Sequence, residues 1–316
     1  MQVITTIQDM VEARASWTLS ERVSHSYSDI ENGKQVAGRG KRQKIGLVPT
    51  MGYLHEGHLS LVRQARAEND ILATSIFVNP TQFGPHEDLA RYPRDLPRDL
   101  RMLEDCGVDV VFTPDTADMY PANFATYVDP SGPLVAAAEG ASRPGHFRGV
   151  ATVVLKLFQI LQPQQAYFGQ KDAQQVAVIS RMVTDLNLPV DLRIHPTIRE
   201  ADGLAMSSRN AYLAPDARAA ATVLYRALTA GKHAFENAPA TGLAGVIAKM
   251  QATVASEPRA RLDYVEVRDP TTFLPLETLR APALLLVAAT VDATRLIDNF
   301  LLHPDGTWDS GRSLSQ

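Results

Sequence analysis

His55 and His58 close the stretch Pro49-Thr50-Met51-Gly52-Tyr53-Leu54-His55-Glu56-Gly57-His58, where the apolar run Ile45–Val48 gives way to helical spacing over Gly57–Asn69. A strand, a tight turn and a helix start make an anion site. The first N–H groups of the helix have no partners within it, its dipole turns a positive end outward, and Gly52 and Gly57 let a phosphate approach the backbone. Two imidazoles at that position can donate hydrogen bonds to phosphate oxygens, bonds that strengthen as charge builds on a leaving pyrophosphate. That is electrostatic catalysis without a covalent intermediate. Two other readings fit the same residues. The pair could ligate zinc, although the chain has no H-E-x-x-H, no thiolate cluster and no evident third ligand; or the histidines only cap and pack a helix.

Three more stretches carry polar groups where a strand-like run ends. In Phe77-Val78-Asn79-Pro80-Thr81-Gln82-Phe83, the amides of Asn79 and Gln82 can each give and accept hydrogen bonds, which suits the hydroxyl groups of a substrate. The same residues also suit a plain turn, and the Glu87-Asp88 and Tyr92-Pro93-Arg94 that follow suit a solvated face. In Phe168-Gly169-Gln170-Lys171-Asp172-Ala173-Gln174-Gln175, a glycine and a helix start bring the Lys171 ammonium to where phosphates would lie, with Gln175 one turn on and on the same face. Asp172 is either a first-turn acid favoured by the dipole or a group for ribose or metal. In Ala205-Met206-Ser207-Ser208-Arg209-Asn210, backbone amides, two hydroxyls and a guanidinium offer a second phosphate grip, unless the serines merely cap a helix.

The elements that must position these groups are legible as alternation. Apolar runs at Ile45–Val48, Ile71–Val78, Val108–Phe112, Ala166–Phe168 and Val190–Ile194 are short and mostly β-branched or aromatic. Helical spacing at Gly57–Asn69, Pro97–Cys106, Gly149–Leu161 and Lys171–Leu186 separates them, which predicts an α/β fold with a parallel sheet covered by helices. After about Pro196 the texture changes. Helical patterns at Ala214–Phe235 and Leu243–Ser256 precede strand-like Leu262–Val267, Ala283–Val287 and Thr294–Leu301, a smaller α+β unit. The division falls between residues 1–198 and 199–316, with charged Thr197–Arg209 as a mobile joint. The polar tail beyond Leu302 is expected to fray, and Ile30–Arg42 reads as an exposed loop or insertion.

Composition narrows the class of function. A net charge of −4 provides no basic footprint for nucleic acid. The only cysteine, Cys106, has no internal disulfide partner, which points to a reducing compartment and gives it no catalytic role. No run of eighteen apolar residues exists, and Met1–Arg14 has no signal-peptide core, so a cytoplasmic protein away from membranes is expected.

Taken in order, Pro49–His58, Phe77–Phe83, Glu87–Arg94 in the form E-D-L-x-x-Y-P-R, His146–Gly149, Phe168–Gln175, Thr197–Leu213 and Thr294–Asn299 resemble the pantoate–β-alanine ligase family over most of the chain. The H-x-G-H and S-S-R elements are what that family shares with the wider HIGH-type nucleotidyl transferases. The resemblance implies a Rossmann-like N-terminal domain with a C-terminal lid, a homodimer formed through the N-terminal domain, and two steps. Pantoate attacks the α-phosphate of Mg-ATP to give pantoyl adenylate and pyrophosphate, and the amine of β-alanine then displaces AMP.

On the family pattern Met51, Gly52, His55, Gly57, His58, Gly169, Gln170, Lys171 and Asp172 bind ATP, with Ile198, Met206, Ser207, Ser208 and Arg209 completing its site. His55, His58, Lys171 and Arg209 stabilise phosphate, His58 standing where the family has its proton donor. Gln82 and Gln175 match the pantoate-binding glutamines, with Asn79 and Arg143 nearby, and Mg2+ is carried mainly by the ATP phosphates. This chain departs from the family at Gln170, where glutamate is common, at His86, where asparagine is common, and in a longer Glu31–Gln43 stretch. Other expectations compete. A HIGH-type transferase acting on a phosphate ester would need extra Lys or Arg in the acceptor pocket, a tRNA ligase would need a basic surface, and a silent nucleotide-binding protein would have lost part of the constellation.

Overall fold

Strands that read as continuous apolar runs, not as alternating ones, belong in a parallel sheet buried on both faces. The computed structural model, which describes residues 1–19, 43–237, 242–278 and 280–314, has such a sheet; the insertion read at Glu31–Gln43 lies, but for Gln43, outside the described residues. Its strands and covering helices are β1 (Gln2–Ile4), α1 (Ile7–Leu19), β2 (Ile45–Thr50), α2 (Glu56–Glu68), β3 (Ile71–Ile76), α3 (Leu96–Asp105), β4 (Val110–Phe112), the short α4 (Thr116–Met119) and α5 (Ala138–Ser142), α6 (His146–Leu161), β5 (Gln165–Gly169), α7 (Ala173–Asp185) and β6 (Asp191–His195). All pairings within it are parallel, in the order β1-β4-β3-β2-β5-β6. Leu47, Ala73, Phe112, Val154 and Phe168 pack one face, and Val48, Leu72, Val111 and Tyr167 the other. The chain therefore runs outward from β2 in one direction and from β5 in the other. An order that reverses between neighbouring strands leaves a crevice beyond their carboxyl ends, which is where such sheets bind ligands.

The strand and helix expectations hold with shifts of a few residues at their ends, as at α6, which begins three residues earlier than the spacing suggested. β1 and α1 were not foreseen: β1 is three residues long, and α1 carries almost no amphipathic signal. Beyond β7 (Ile198–Arg199) and the helices α8 (Pro215–Ala220), α9 (Val223–Asn237) and α10 (Gly242–Ala255), a second sheet forms from β8 (Ala260–Arg268), β9 (Ala283–Val291), β10 (Thr294–Leu302) and β11 (Trp308–Asp309), in the order β11-β10-β9-β8 and antiparallel. Leu228, Val246 and Met250 of α9 and α10 cover one face at Leu285 and Phe300. The other face meets the first sheet's helices, with Leu284 and Leu286 against Ala173 and Ala177 of α7.

One expectation about loops needs correction. The tail beyond Leu302 does not fray in the described residues: after β11 it turns back, and β12 (Arg312–Ser313) pairs in parallel with β7. Local polarity misled here, because the pairing depends on backbone groups 114 positions apart in the Arg312–Ile198 register. Within the expected joint Thr197–Arg209, the Arg199 guanidinium is buried and bonds both Asp298 oxygens at 2.6 and 2.9 Å. A buried charge is tolerated only when paired in this way.

One close approach fixes the relation between α6 and the loop after β3. A Cβ on Gly149 would lie 2.4 Å from the Thr81 carbonyl oxygen and 2.6 Å from the Gln82 nitrogen. Mid-helix alanine normally outranks glycine by about 1 kcal/mol, but here it collides with backbone. Gly149→Ala should destabilise the protein by about 1–3 kcal/mol, read as a lower urea midpoint. An unchanged or higher midpoint would contradict this packing.

Candidate active site

The carboxyl ends of β2 and β5 open on a cleft of about 230 Å³ whose lining includes His55, His58, Asn79, Gln82, Arg143, Lys171, Gln175, Ser207 and Arg209. Met51, Gly57, Gly169, Asp172, Ile198, Met206 and Ser208 line it as well. Of the residues expected to bind nucleotide, Gly52 and Gln170 do not. The sequence thus places four separate stretches around one space, and long-range contacts explain the two exceptions.

Gly52 shapes the turn and offers no surface to a ligand. It has a φ of +83° and Tyr53 follows at +50°, a left-handed pair that aims the N–H groups of Tyr53 and Leu54 at the Asp99 carboxylate, 2.6 and 2.8 Å away. Those N–H groups are therefore engaged inside the protein. Asp99 is buried at the start of α3; burial pushes its carboxyl up, and the two N–H bonds pull it part of the way back. The sequence presents Asp99 only as a first-turn acid, so nothing local distinguished it. Gly57 is the glycine the cleft needs, because a Cβ there would sit 2.9 Å from the His55 ring.

The two imidazoles stack at 4.0 Å between centroids. The His55 N–H donates to His58 Nδ1 at 3.4 Å, which assigns the His58 proton to Nε2. Burial lowers His58 to about 4, with Asp172 pulling up and Lys171 down. Burial, then the neighbouring His58, Lys171 and Arg98, lower His55 to about 2. Both rings reach the cleft yet are surrounded by protein, so they stand as neutral N–H donors near neutral pH.

The Asn79-to-Gln82 loop divides its labour. Asn79 is buried; its Nδ2 donates to Gln82 Oε1 and to the Gly149 carbonyl, each at 3.1 Å, and its Oδ1 accepts from Thr81 and Tyr120. An amide so engaged has little hydrogen-bonding capacity left over. It orients Gln82. Among the described residues Gln82 Nε2 has only the Met51 sulfur, at 3.0 Å, as a partner, and is the loop's open donor.

Glu87 and Asp88, which also read as a solvated face, each hold an arginine at the cleft. Arg143 makes a two-point bond to Glu87 at 2.9 and 2.5 Å and lies 3.1 Å from His146 Nε2. Arg209 Nε and Nη2 bond Asp88 at 2.9 Å each, leaving Nη1 without a place in that fork. Burial pushes Asp88 up, but the Arg209 bonds and charge outweigh it and leave the carboxyl below its ordinary range. Ser207 Oγ accepts the Arg209 N–H, and Ser208 Oγ donates to the Tyr53 carbonyl at 3.1 Å, tying this loop to the histidine turn. Lys171 is different: among the described residues its one ion pair is a 3.7 Å contact with Asp172. Gln170 turns away, buried with its amide on Asn299.

Metal ligation is sparse in this region. Among the described residues no three His, Cys, Asp or Glu side chains cluster as a metal site, and Asp172 is the one carboxylate lining the cleft. One half-exposed carboxylate fits a Mg2+ that keeps its waters and is held chiefly by phosphates.

Comparison with known proteins agrees with this geometry. The family described as pantoate-beta-alanine ligase matches residues 22–301. A pantothenate synthetase of a Roseiflexus species is 55% identical over 96% of this chain and 100% of its own length. The crystal structure of pantothenate synthetase from Thermus thermophilus superposes with a TM-score of 0.84 at 45% identity, covering 96% of this chain and all of that one. A pantoate-beta-alanine ligase from Francisella tularensis, solved with beta-gamma ATP and beta-alanine, gives a TM-score of 0.72 at 34% identity over 95% and 97% of the two chains.

The lowered histidines make stability depend on acidity. In the unfolded chain His58 titrates near 6.5, whereas the folded ring does so at about 4. Between those values the unfolded state binds the extra proton, so stability falls as pH falls through that window and is unaffected by His58 above it. From pH 6.5 to pH 5 the group accounts for about 2 kcal/mol. His58→Gln should lose that much less than the parent between neutral pH and pH 5 in urea unfolding; equal losses would show that His58 titrates normally.

Proposed function

Because the chain belongs to the pantoate–β-alanine ligase family and catalyses the ATP-dependent condensation of pantoate with β-alanine, we propose that this cleft does so in two steps through pantoyl adenylate. The observation that carries the proposal is convergence: Lys171, Arg209 and the two imidazoles, from three stretches of chain, line one space whose other residues include Gln82 and Gln175. A pantoate carboxylate oxygen attacks the α-phosphorus, the bond to the β-phosphate oxygen breaks, and pyrophosphate leaves. The β-alanine nitrogen then attacks the acyl carbon, loses a proton, and AMP departs.

Little covalent work falls to the protein in the first step, which needs alignment and charge stabilisation. Lys171, Arg209 and the His58 Nε2–H answer the charge on the phosphates, with His55 beside them. Met51, Gly57, Gly169, Asp172, Ile198, Met206, Ser207 and Ser208 surround the nucleotide. Gln82 Nε2 and Gln175 hold pantoate, Gln82 also facing β-alanine. Asn79 and Arg143 set the shape of that end. Mg2+ arrives with ATP and neutralises phosphate charge; Asp172 is the side chain placed to meet it.

The same reading divides the chain into an ATP- and pantoate-binding domain, residues 1–198, and a C-terminal lid, residues 199–316, whose closure keeps water from the acyl adenylate. It also makes the protein a cytoplasmic homodimer joined through the N-terminal domain. No helix among the described residues is long and apolar enough to cross a membrane. A transferase for phosphate esters is less well supported, since the acceptor end offers amides and an Arg143 already paired with Glu87.

Lys171→Ala and His58→Ala should each lower turnover by about a hundredfold or more while the protein stays folded. The direct assay is pantoate-dependent exchange of labelled pyrophosphate into ATP, with Mg2+ present and β-alanine omitted. Exchange that requires pantoate supports the adenylate; its absence, together with no AMP when β-alanine is added, would overturn it.

A further inference from the structure

The last family-like block of the sequence, Thr294–Asn299, has no place in the chemistry described so far, and neither Asp298 nor Asn299 lines the catalytic cleft. Both are nevertheless buried polar residues, in the middle of β10 where apolar side chains would ordinarily stand. Their partners account for them. Asn299 Nδ2 donates to two backbone carbonyls, Gln170 at 2.9 Å and Lys171 at 2.8 Å, and its Oδ1 accepts from Gln170 Nε2 at 3.3 Å. One side chain of the second sheet thus holds the turn that follows β5 on the first sheet. Its neighbour Asp298 receives the Arg199 guanidinium, which also donates to the Gly203 carbonyl. Arg199 opens the loop that leads to Ser207 and Arg209.

The turn after β5 needs such a brace. Gln170–Asp172 is a single 3-10 turn whose N-cap, Gly169, has no side chain to cap it, and among the described residues the Lys171 ammonium has no short bond to another side chain, only Asp172 at 3.7 Å. Its aim therefore follows from its backbone, and the side-chain bonds on that backbone at Gln170 and Lys171 come from Asn299.

We propose that Asn299 is a positioning residue for the activation step: resting on the assignment of Lys171 to phosphate, it fixes the Lys171 backbone from the second sheet so that the ammonium meets the reacting phosphates only while the two sheets are docked. Asn299 touches no substrate. Asp298, through Arg199, does the same for the loop bearing Arg209, so one dipeptide of β10 braces both phosphate-facing loops. The second sheet then acts on catalysis by holding a cation in place as well as by covering the cleft.

A cycle of Asn299→Ala, Lys171→Ala and the double variant tests this, with pantoate-dependent pyrophosphate exchange as the readout and folding checked by melting temperature. A displacement of about 1 Å in a catalytic group costs on the order of a hundredfold in rate, so Asn299→Ala should lower kcat for exchange by roughly tenfold to a hundredfold while KM for pantoate, held elsewhere, stays within about twofold. In the Lys171→Ala background the same change should have no further effect. Asn299→Asp, equal in size but turning an oxygen toward two carbonyls, should reproduce the loss and serves as the test if the alanine variant does not fold. Three results would overturn the inference although Lys171→Ala is impaired: Asn299 variants with full exchange rates, a loss that multiplies with that of Lys171→Ala, or a loss confined to the KM of pantoate. If Lys171→Ala itself exchanged at the parent rate, the phosphate assignment of Lys171 would be the part that failed.

Discussion

A site built for polyphosphate has to hold several positive groups close together before any phosphate arrives. Lys171, Arg209, Arg143 and a helix N-terminus surround one cleft, beside Arg98. Like charges in a partly dry cavity repel strongly, and the way that repulsion is relieved explains much of the rest of the structure. The arginines receive acids, Asp88 for Arg209 and Glu87 for Arg143. The histidines give up their charge, lowered first by burial and then by Lys171, with His58 lowering His55 further. Lys171 has, among the described residues, only a distant acid beside it, Asp172 at 3.7 Å.

Each relief has a second use. Asp88 grips Arg209 along one edge, so the guanidinium is already oriented while one nitrogen remains outside the fork. A neutral His58 whose Nδ1 accepts a backbone N–H must present Nε2–H, a donor in fixed orientation. Preorganised donors of this kind do not have to reorient when charge moves in the transition state. The sheet order supplies the platform, since the reversal between β2 and β5 sets the histidine turn and the lysine turn side by side. The second sheet closes the arrangement from the far side, with Asn299 bonded to the Lys171 turn that follows β5 and Asp298 to Arg199 of β7.

How much of this was legible in the sequence depended on the range of the interaction. The strand-turn-helix stretch around His55 and His58, the Lys171 turn and the Ser207–Arg209 loop are local patterns, and all three meet in the cleft. Asn79 and Gln82 were singled out together, yet their roles differ because Asn79 bonds Gly149, 70 positions away. Asp99 was passed over because its partners, Tyr53 and Leu54, lie 46 and 45 positions back. The Gln170 side chain, which turns to Asn299 129 positions on, and the tail, which pairs with β7, have partners that no local pattern reports. Periodicity reports which face is buried, whereas a polar residue's use is decided by what the fold brings to it.

The central claim, that the cleft stabilises phosphate with neutral, prealigned imidazoles beside the Lys171 ammonium, is tested most directly by nitrogen-resolved NMR of the His58 ring, titrated with and without a non-hydrolysable ATP analogue and Mg2+. In the free protein the ring should remain in the neutral Nε2–H form from neutral pH down to the neighbourhood of 4, and bound phosphate should raise that midpoint, because an anion favours the imidazolium. A free-protein midpoint at the ordinary 6.5, or a ring indifferent to the analogue, would contradict the account.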